Sequence, residues 1–383
     1  MQAINNSLQQ KLAARQAKDY FRTLPTMDFS NQQNELIDFS SNDYLGLARN
    51  AELVKKIEQE YKNLAGFNGA TGSRLISGNT RFAENLEVKI AEFHHAENAL
   101  IFNSGYNANV GICSCIANPN DTIFYDELSH ASIRDGLRLS RGNTVAFKHN
   151  DLTDLATKIA AIKGNIFVIV ESVYSMDGDV APLQELVDLI KNNDRIALMV
   201  DEAHGLGIFG KNGGGLVQAL GLEKDVFARI ITYGKALGVH GASIVGSQTL
   251  KDYLINYASS FIYTTALPLH DLIGIKMSYQ MLSSNNFQKE IQAKTALFLN
   301  NLSPQTKSFF IESNSPIQSM VIEGNTKIKA VAKTINEHGF AVKAILFPTV
   351  PKGQERIRIS LHVFNTDKEI LRLVRLLNKH LAL

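Results

Sequence analysis

The stretch TYGKALGVHG places Lys235 between glycines, just after the apolar run Ile230-Ile231. A primary amine at the end of a buried strand packs poorly. Desolvation there lowers its affinity for a proton and makes it a nucleophile or a base. Upstream, VDEAHG holds Asp201 and His204, ELSHAS holds His130, and FNSGYNANVG sets Gly105-Tyr106 at a helix start. This set matches the needs of pyridoxal 5′-phosphate, whose aldehyde can form a Schiff base with a lysine. Gly105 and Tyr106 can offer helix N-terminal amides to its phosphate, with the Thr232 hydroxyl as a second donor. Asp201 can keep the pyridine nitrogen protonated, His204 can reach the ring oxygen, and His130 can stack on the ring.

The elements that position these residues are strands alternating with helices. NALIFN, DTIFYDE, NTVAFK, NIFVIVES, RIALMVDEA and RIITYGK read as strands, and GASIVGS as one more that can pair antiparallel. Short apolar strands separated by helical stretches predict a mainly parallel sheet covered on both faces. Its carboxyl edge then collects Asn103, Asp126, Tyr174-Ser175, Asp201 and Lys235, where ligands of such sheets sit. The first 20 or so residues predict an amphipathic helix, from Leu8, Leu12, Ala13, Ala17 and Phe21. After about residue 280 the pattern predicts a smaller α+β lobe: the helix FQKEIQAKTALFLNNL, the strands IQSMVIEG, AVKAILF and RIRISLHVF, and the closing helix DKEILRLVRLLNKHLA. The expected organisation is an N-terminal helix and short strand, a large cofactor-binding α/β domain and a small C-terminal α+β domain, at roughly 1–45, 46–280 and 281–383.

The 383 residues carry a formal charge of +2 and are 45% hydrophobic, too balanced to argue for nucleic acid. No apolar run is long enough to span a membrane, and the polar N-terminus lacks the apolar segment of a secretory signal. Cys113 and Cys115 form one C-x-C step without a second pair, so no zinc site or disulfide framework is expected. A cytoplasmic setting is expected. Gly205-Leu-Gly-Ile-Phe-Gly210 spells G-x-G-x-x-G, but it does not follow a strand directly and KNGGGL after it cannot open a helix. It predicts a loop. No P-loop string occurs.

VDEAHGLGIFG followed by TYGKALGVHGA resembles the fold-type-I pyridoxal phosphate enzymes, and among them the α-oxoamine synthases. The likeness continues through DFSSNDYLGL, GATGSRLISGNT, DELSHASIRDG, KHNDLTDL, ESVYSMDGDVAPL and PTVPKGQERIRISLH. It implies condensation of an amino acid with an acyl thioester and loss of carbon dioxide. FPTVPKGQERIRIS and the chain length resemble most the members that take L-alanine and a pimeloyl donor, on CoA or a carrier protein, so the resemblance implies those substrates. By the same resemblance Lys235 carries the cofactor, Asp201 and His204 hold its ring, His130 stacks on it and Ser175 contacts it. Gly105, Tyr106 and Thr232 hold the phosphate. Thr264 and Thr265 reach the phosphate of a neighbouring subunit, which implies a homodimer. Arg358 grips the amino acid's carboxylate with Asn42 nearby, and Arg22 and Thr349 match substrate-binding positions.

The rivals are a glycine C-acetyltransferase or other α-oxoamine synthase, an aminotransferase, and a cofactor-binding protein without activity. The lysine and its companions are common to the enzymes and do not separate them.

Overall fold

The structure is a computed structural model and describes residues 1–17, 21–24, 36–64, 68–347 and 349–380. In chain order the strands are β1 (Ile37–Asp38), β2 (Asn98–Phe102), β3 (Thr122–Asp126), β4 (Asn143–Phe147), β5 (Ile166–Glu171), β6 (Ile196–Asp201), β7 (Ala228–Thr232), β8 (Ala242–Gly246), β9 (Ile317–Val321), β10 (Phe340–Ala341), β11 (Lys343–Ile345) and β12 (Arg356–Ser360). Seven of them form the central sheet, in the order β2-β8-β7-β6-β5-β3-β4. β8 runs antiparallel to both of its neighbours and the other pairs are parallel. The central strands β5, β6 and β7 are almost wholly buried, because helices cover both faces. One apolar cluster joins Ile112, Ile133, Met199 and Ile230, and another Val168, Leu186, Leu198 and Val217.

Side-chain caps set several helix starts. Asn50 accepts from Leu53 N before helix Ala51–Asn63, Thr80 from Ala83 N before Arg81–Phe93, and Asp151 from Asp154 N before Leu152–Ile159.

The C-terminal part adds the antiparallel sheet β11-β12-β9, helix Asn325–Glu337 and the strongly amphipathic helix Asp367–His380. β1 pairs in parallel with β10, and Ser360 N donates to Phe39 O at 2.8 Å, so the segment that leads to the site is stitched to this layer. Helix Leu269–Ser284 runs past residue 280 and is buried along most of its length.

One expectation needs correction. The N-terminal helix forms over Gln2–Ala17, as expected, but its few apolar residues make no marked apolar face, and none of its residues is buried; Leu8 and Leu12 stand exposed. The glycine string at 205–210 is a loop, as predicted. Buried Glu202 accepts from Leu216 N at 3.0 Å and Val217 N at 2.7 Å and holds the end of that loop. Cys113 lies in the core and Cys115 is half-buried, both free, and burial pushes both thiols up.

Candidate active site

Behind β2, Ser104 caps helix Gly105–Cys115 by accepting from Asn107 N at 3.2 Å. The first N–H groups of a helix have no acceptor within it. Gly105 lies against the end of β7, and a Cβ there would overlap Thr232 Oγ1. The amides and the hydroxyl therefore share one small cradle suited to an anion. The Tyr106 ring points away from it: its hydroxyl donates to Asp135 Oδ2 at 2.6 Å on the surface.

Asp201 ends β6 and is buried. Its Oδ1 accepts from Ala203 N at 2.8 Å and its Oδ2 from Asn109 Nδ2 at 2.7 Å. Asn109 also reaches Ser132 Oγ at 3.0 Å, and Ser132 Oγ lies 2.8 Å from His130 Nδ1. His130 N donates to Glu171 Oε1 at 2.6 Å. The carboxylate and the exposed imidazole are thus fixed relative to each other. Burial, reinforced by Asp201, raises the pKa of Glu171.

Lys235 follows β7, and its Nζ lies 2.8 Å from His204 Nε2. Burial lowers the proton affinity of Lys235; Asp201 and Glu171 oppose this and Arg358 assists it. The other imidazole nitrogen, His204 Nδ1, lies 2.7 Å from the Tyr44 hydroxyl. Arg358, on β12, donates from Nη2 to Tyr44 Oη at 2.9 Å and to Asn42 Oδ1 at 2.6 Å. Among the described residues its buried Nε has no partner, which leaves a donor for an incoming anion. A cavity of about 440 Å³ opens over Arg358, with Arg22, Thr349 and Met176 in its wall.

Beside the cradle of Gly105, Tyr106 and Thr232, three further groups of predicted residues meet. Lys235, His204, Asn42 and Arg358 share one hydrogen-bonded chain. Arg22, Thr349 and Arg358 share one cavity. Asp201 and His130 are joined through Asn109 and Ser132. Ser175 occupies the turn after β5, one residue from Met176 of the cavity wall. Thr264 and Thr265 stand in front of β2, where Asn103 Nδ2 donates to Thr264 Oγ1 at 3.2 Å and Thr265 O at 2.8 Å.

The donor set fits pyridoxal phosphate: an anion cradle, a buried carboxylate for a ring nitrogen, and an amine of lowered basicity beside an imidazole. A profile described as aminotransferase class I and II matches residues 34–377. The chain belongs to that family. An 8-amino-7-oxononanoate synthase of Emericella nidulans is 41% identical to it, covering 96% of this chain and 93% of the relative. Another from Marinobacter nauticus is 38% identical, covering 90% and 87%. Among solved structures, serine palmitoyltransferase of Sphingomonas wittichii superposes with a TM-score of 0.83 at 27% identity, over 90% of this chain and 86% of that one. The 8-amino-7-oxononanoate synthase of Francisella tularensis gives 0.77 at 29% identity, over 91% and 98%. The fold is that of the fold-type-I pyridoxal phosphate transferases, and the likeness read from the motifs holds over nearly the whole chain.

Four residues of the site were not singled out in the sequence: Tyr44, Asn109, Ser132 and Glu171. Asn109 had a signal, one helical turn after Gly105 on the helix that carries the cradle. Tyr44 lies inside the quoted motif DFSSNDYLGL, but its type alone reads as core.

Proposed function

We propose that the chain is a pyridoxal 5′-phosphate-dependent acyltransferase. It condenses L-alanine with a pimeloyl thioester and gives 8-amino-7-oxononanoate, carbon dioxide and the free thiol, a step of biotin biosynthesis. The observation that carries this reading is the 41% identity with a synthase of that name across nearly the whole chain. The intact set of Lys235, His204, Asp201 and Arg358 agrees with it.

When bound, the cofactor supplies an electron sink for charge at the amino acid's α-carbon. Lys235 would hold the cofactor through its aldehyde. After release its neutral Nζ takes the α-proton of alanine. Asp201, oriented by donors from Asn109 and Ala203, would face the ring nitrogen. His204 would bond the ring oxygen, His130 would cover the ring face and Ser175 would contact it. The amides of Gly105 and Tyr106 bind the phosphate with Thr232. Arg358, steadied by Asn42, binds the alanine carboxylate through its guanidinium fork. Arg22 and Thr349 line the cavity that receives the acyl chain. The α-carbon bonds to the acyl carbonyl carbon as the thioester C–S bond breaks and the thiol leaves; carbon dioxide then leaves from the alanine carboxyl, and a proton returned to the α-carbon takes its place.

The same reading makes the enzyme a homodimer in which Thr264 and Thr265 reach the partner's phosphate. The exposure of Ile76 (87%) and Tyr263 (84%), the second beside these threonines in sequence, supports a covering second copy. The division at about residues 45 and 280 and a cytoplasmic location belong to it too. No helix among the described residues is long and apolar enough to cross a membrane. With a charge of +2, small molecules rather than nucleic acid are the expected partners.

The test is a panel of L-alanine, glycine and L-serine against pimeloyl-, acetyl- and palmitoyl-CoA, with thiol release and product mass as readouts. Alanine with pimeloyl-CoA should give the highest kcat/KM. A clear preference for glycine with acetyl-CoA, or serine with palmitoyl-CoA, overturns this assignment.

A further inference from the structure

Tyr44 is fully buried and its hydroxyl touches three groups of the site: His204 Nδ1 at 2.7 Å, Arg358 Nη2 at 2.9 Å and Asn42 Oδ1 at 3.2 Å. Its single proton has two possible acceptors. Arg358 can only donate, so the Tyr44 oxygen accepts from it. Asn42 Oδ1 already takes Arg358 Nη2 at 2.6 Å and lies further from Tyr44. The proton therefore goes to His204 Nδ1, the shorter contact. A neutral imidazole that accepts at Nδ1 must carry its own proton on Nε2, and Nε2 is the atom 2.8 Å from Lys235 Nζ.

We propose that Tyr44 is a positioning residue: it fixes His204 as the Nε2–H tautomer, so that His204 presents a donor toward Lys235 Nζ, where a bound cofactor would also meet it. The inference rests on the reading of Lys235 as the cofactor lysine.

The surrounding charges agree. Burial holds His204 well below the usual histidine range, and Lys235, Arg358 and His130 all push the same way, so the ring is neutral. Burial pushes Tyr44 up to about 12 against the pull of Arg358, so the phenol keeps its proton. His362 stacks on Tyr44 at 6.5 Å, and burial lowers its pKa, countered by Asp38 and Asp43. Around Lys235 stand Asp201, Glu171 and Arg358. An N–H aimed at Nζ disfavours the ammonium, whose own hydrogens would face it. Without the Tyr44 hydroxyl, His204 is free to move its proton to Nδ1 and offer a lone pair to Lys235.

The experiment uses holoenzyme reconstituted with pyridoxal phosphate. Tyr44→Phe keeps the ring and removes only the hydroxyl. The midpoint of the pH titration of the visible band should rise by about one unit, the scale of one lost hydrogen bond. In the double variant with His204→Gln, the Tyr44→Phe substitution should add nothing. An unchanged midpoint in folded Tyr44→Phe, or shifts that add, overturns the proposal. Nitrogen NMR of the histidine-labelled wild type reads the tautomer without any substitution: a proton on His204 Nδ1 would also overturn it. Absence of a visible band would instead count against the cofactor reading.

Discussion

Gly105 and Thr232 lie so close that a Cβ on residue 105 would overlap the threonine hydroxyl. The helix start after β2 and the end of β7 are thereby brought into one cradle, and any side chain at 105 must push them apart. Gly105→Ala should weaken pyridoxal phosphate binding at least about tenfold, roughly 1.4 kcal/mol. Fluorescence titration of the cofactor-free protein checks it. Unchanged affinity would place the phosphate elsewhere.

Asp201 accepts hydrogen bonds from Asn109 and Ala203. Asp201→Asn should keep the fold and still bind the cofactor, but exchange of the alanine α-proton should fall about a hundredfold or more. A charge placed at a developing transition state is worth about 3–4 kcal/mol. Proton NMR in deuterium oxide follows the exchange. A rate near that of wild type would mean that a different residue holds the ring nitrogen.

Arg358 and Arg22 share a cavity but serve different substrates in this account. Arg358→Lys keeps the charge and loses the two-pronged geometry, so the KM for alanine should rise about tenfold or more. Arg22→Ala should raise the KM for pimeloyl-CoA and leave α-proton exchange of alanine at its wild-type rate. Reversed effects would exchange the two roles.

His149 bridges two carboxylates, Asp126 through Nδ1 at 2.9 Å and Asp179 through Nε2 at 2.7 Å. Arg356 pairs with neighbouring Asp177. Burial opposes the charge on His149, but its two hydrogen-bonded carboxylates outweigh it and raise the pKa from 6.5 to about 9. A raised folded-state pKa gives stability that is complete below 6.5 and is lost as pH climbs through about 9. With its partial exposure, this contribution is on the order of 2 kcal/mol. Urea unfolding should show wild type weakening across that window and His149→Gln, weaker at pH 6.5, losing less. Parallel pH curves would show that His149 is not charged in the fold.

Much of the site was legible because parallel strands buried on both faces leave few polar residues, and those at their ends stand out. Lys235, Asp201 and His204 could be read in this way. Tyr44 could not: its partners His204 and Arg358 lie 160 and 314 residues away, and a tyrosine looks like core until the fold brings them together. Helix Leu269–Ser284 carried no clear period, since it is apolar and buried along most of its length. The N-terminal helix was legible as a helix but not in its character, for a few apolar residues among many polar ones make no marked apolar face.

The central claim is that Lys235 carries the cofactor. Borohydride reduction of the yellow holoenzyme, followed by proteolysis and mass spectrometry, tests it most directly. A pyridoxyl group is expected on the peptide containing Lys235, and none after Lys235→Ala. A pyridoxyl group on any other lysine of the wild-type protein would contradict it.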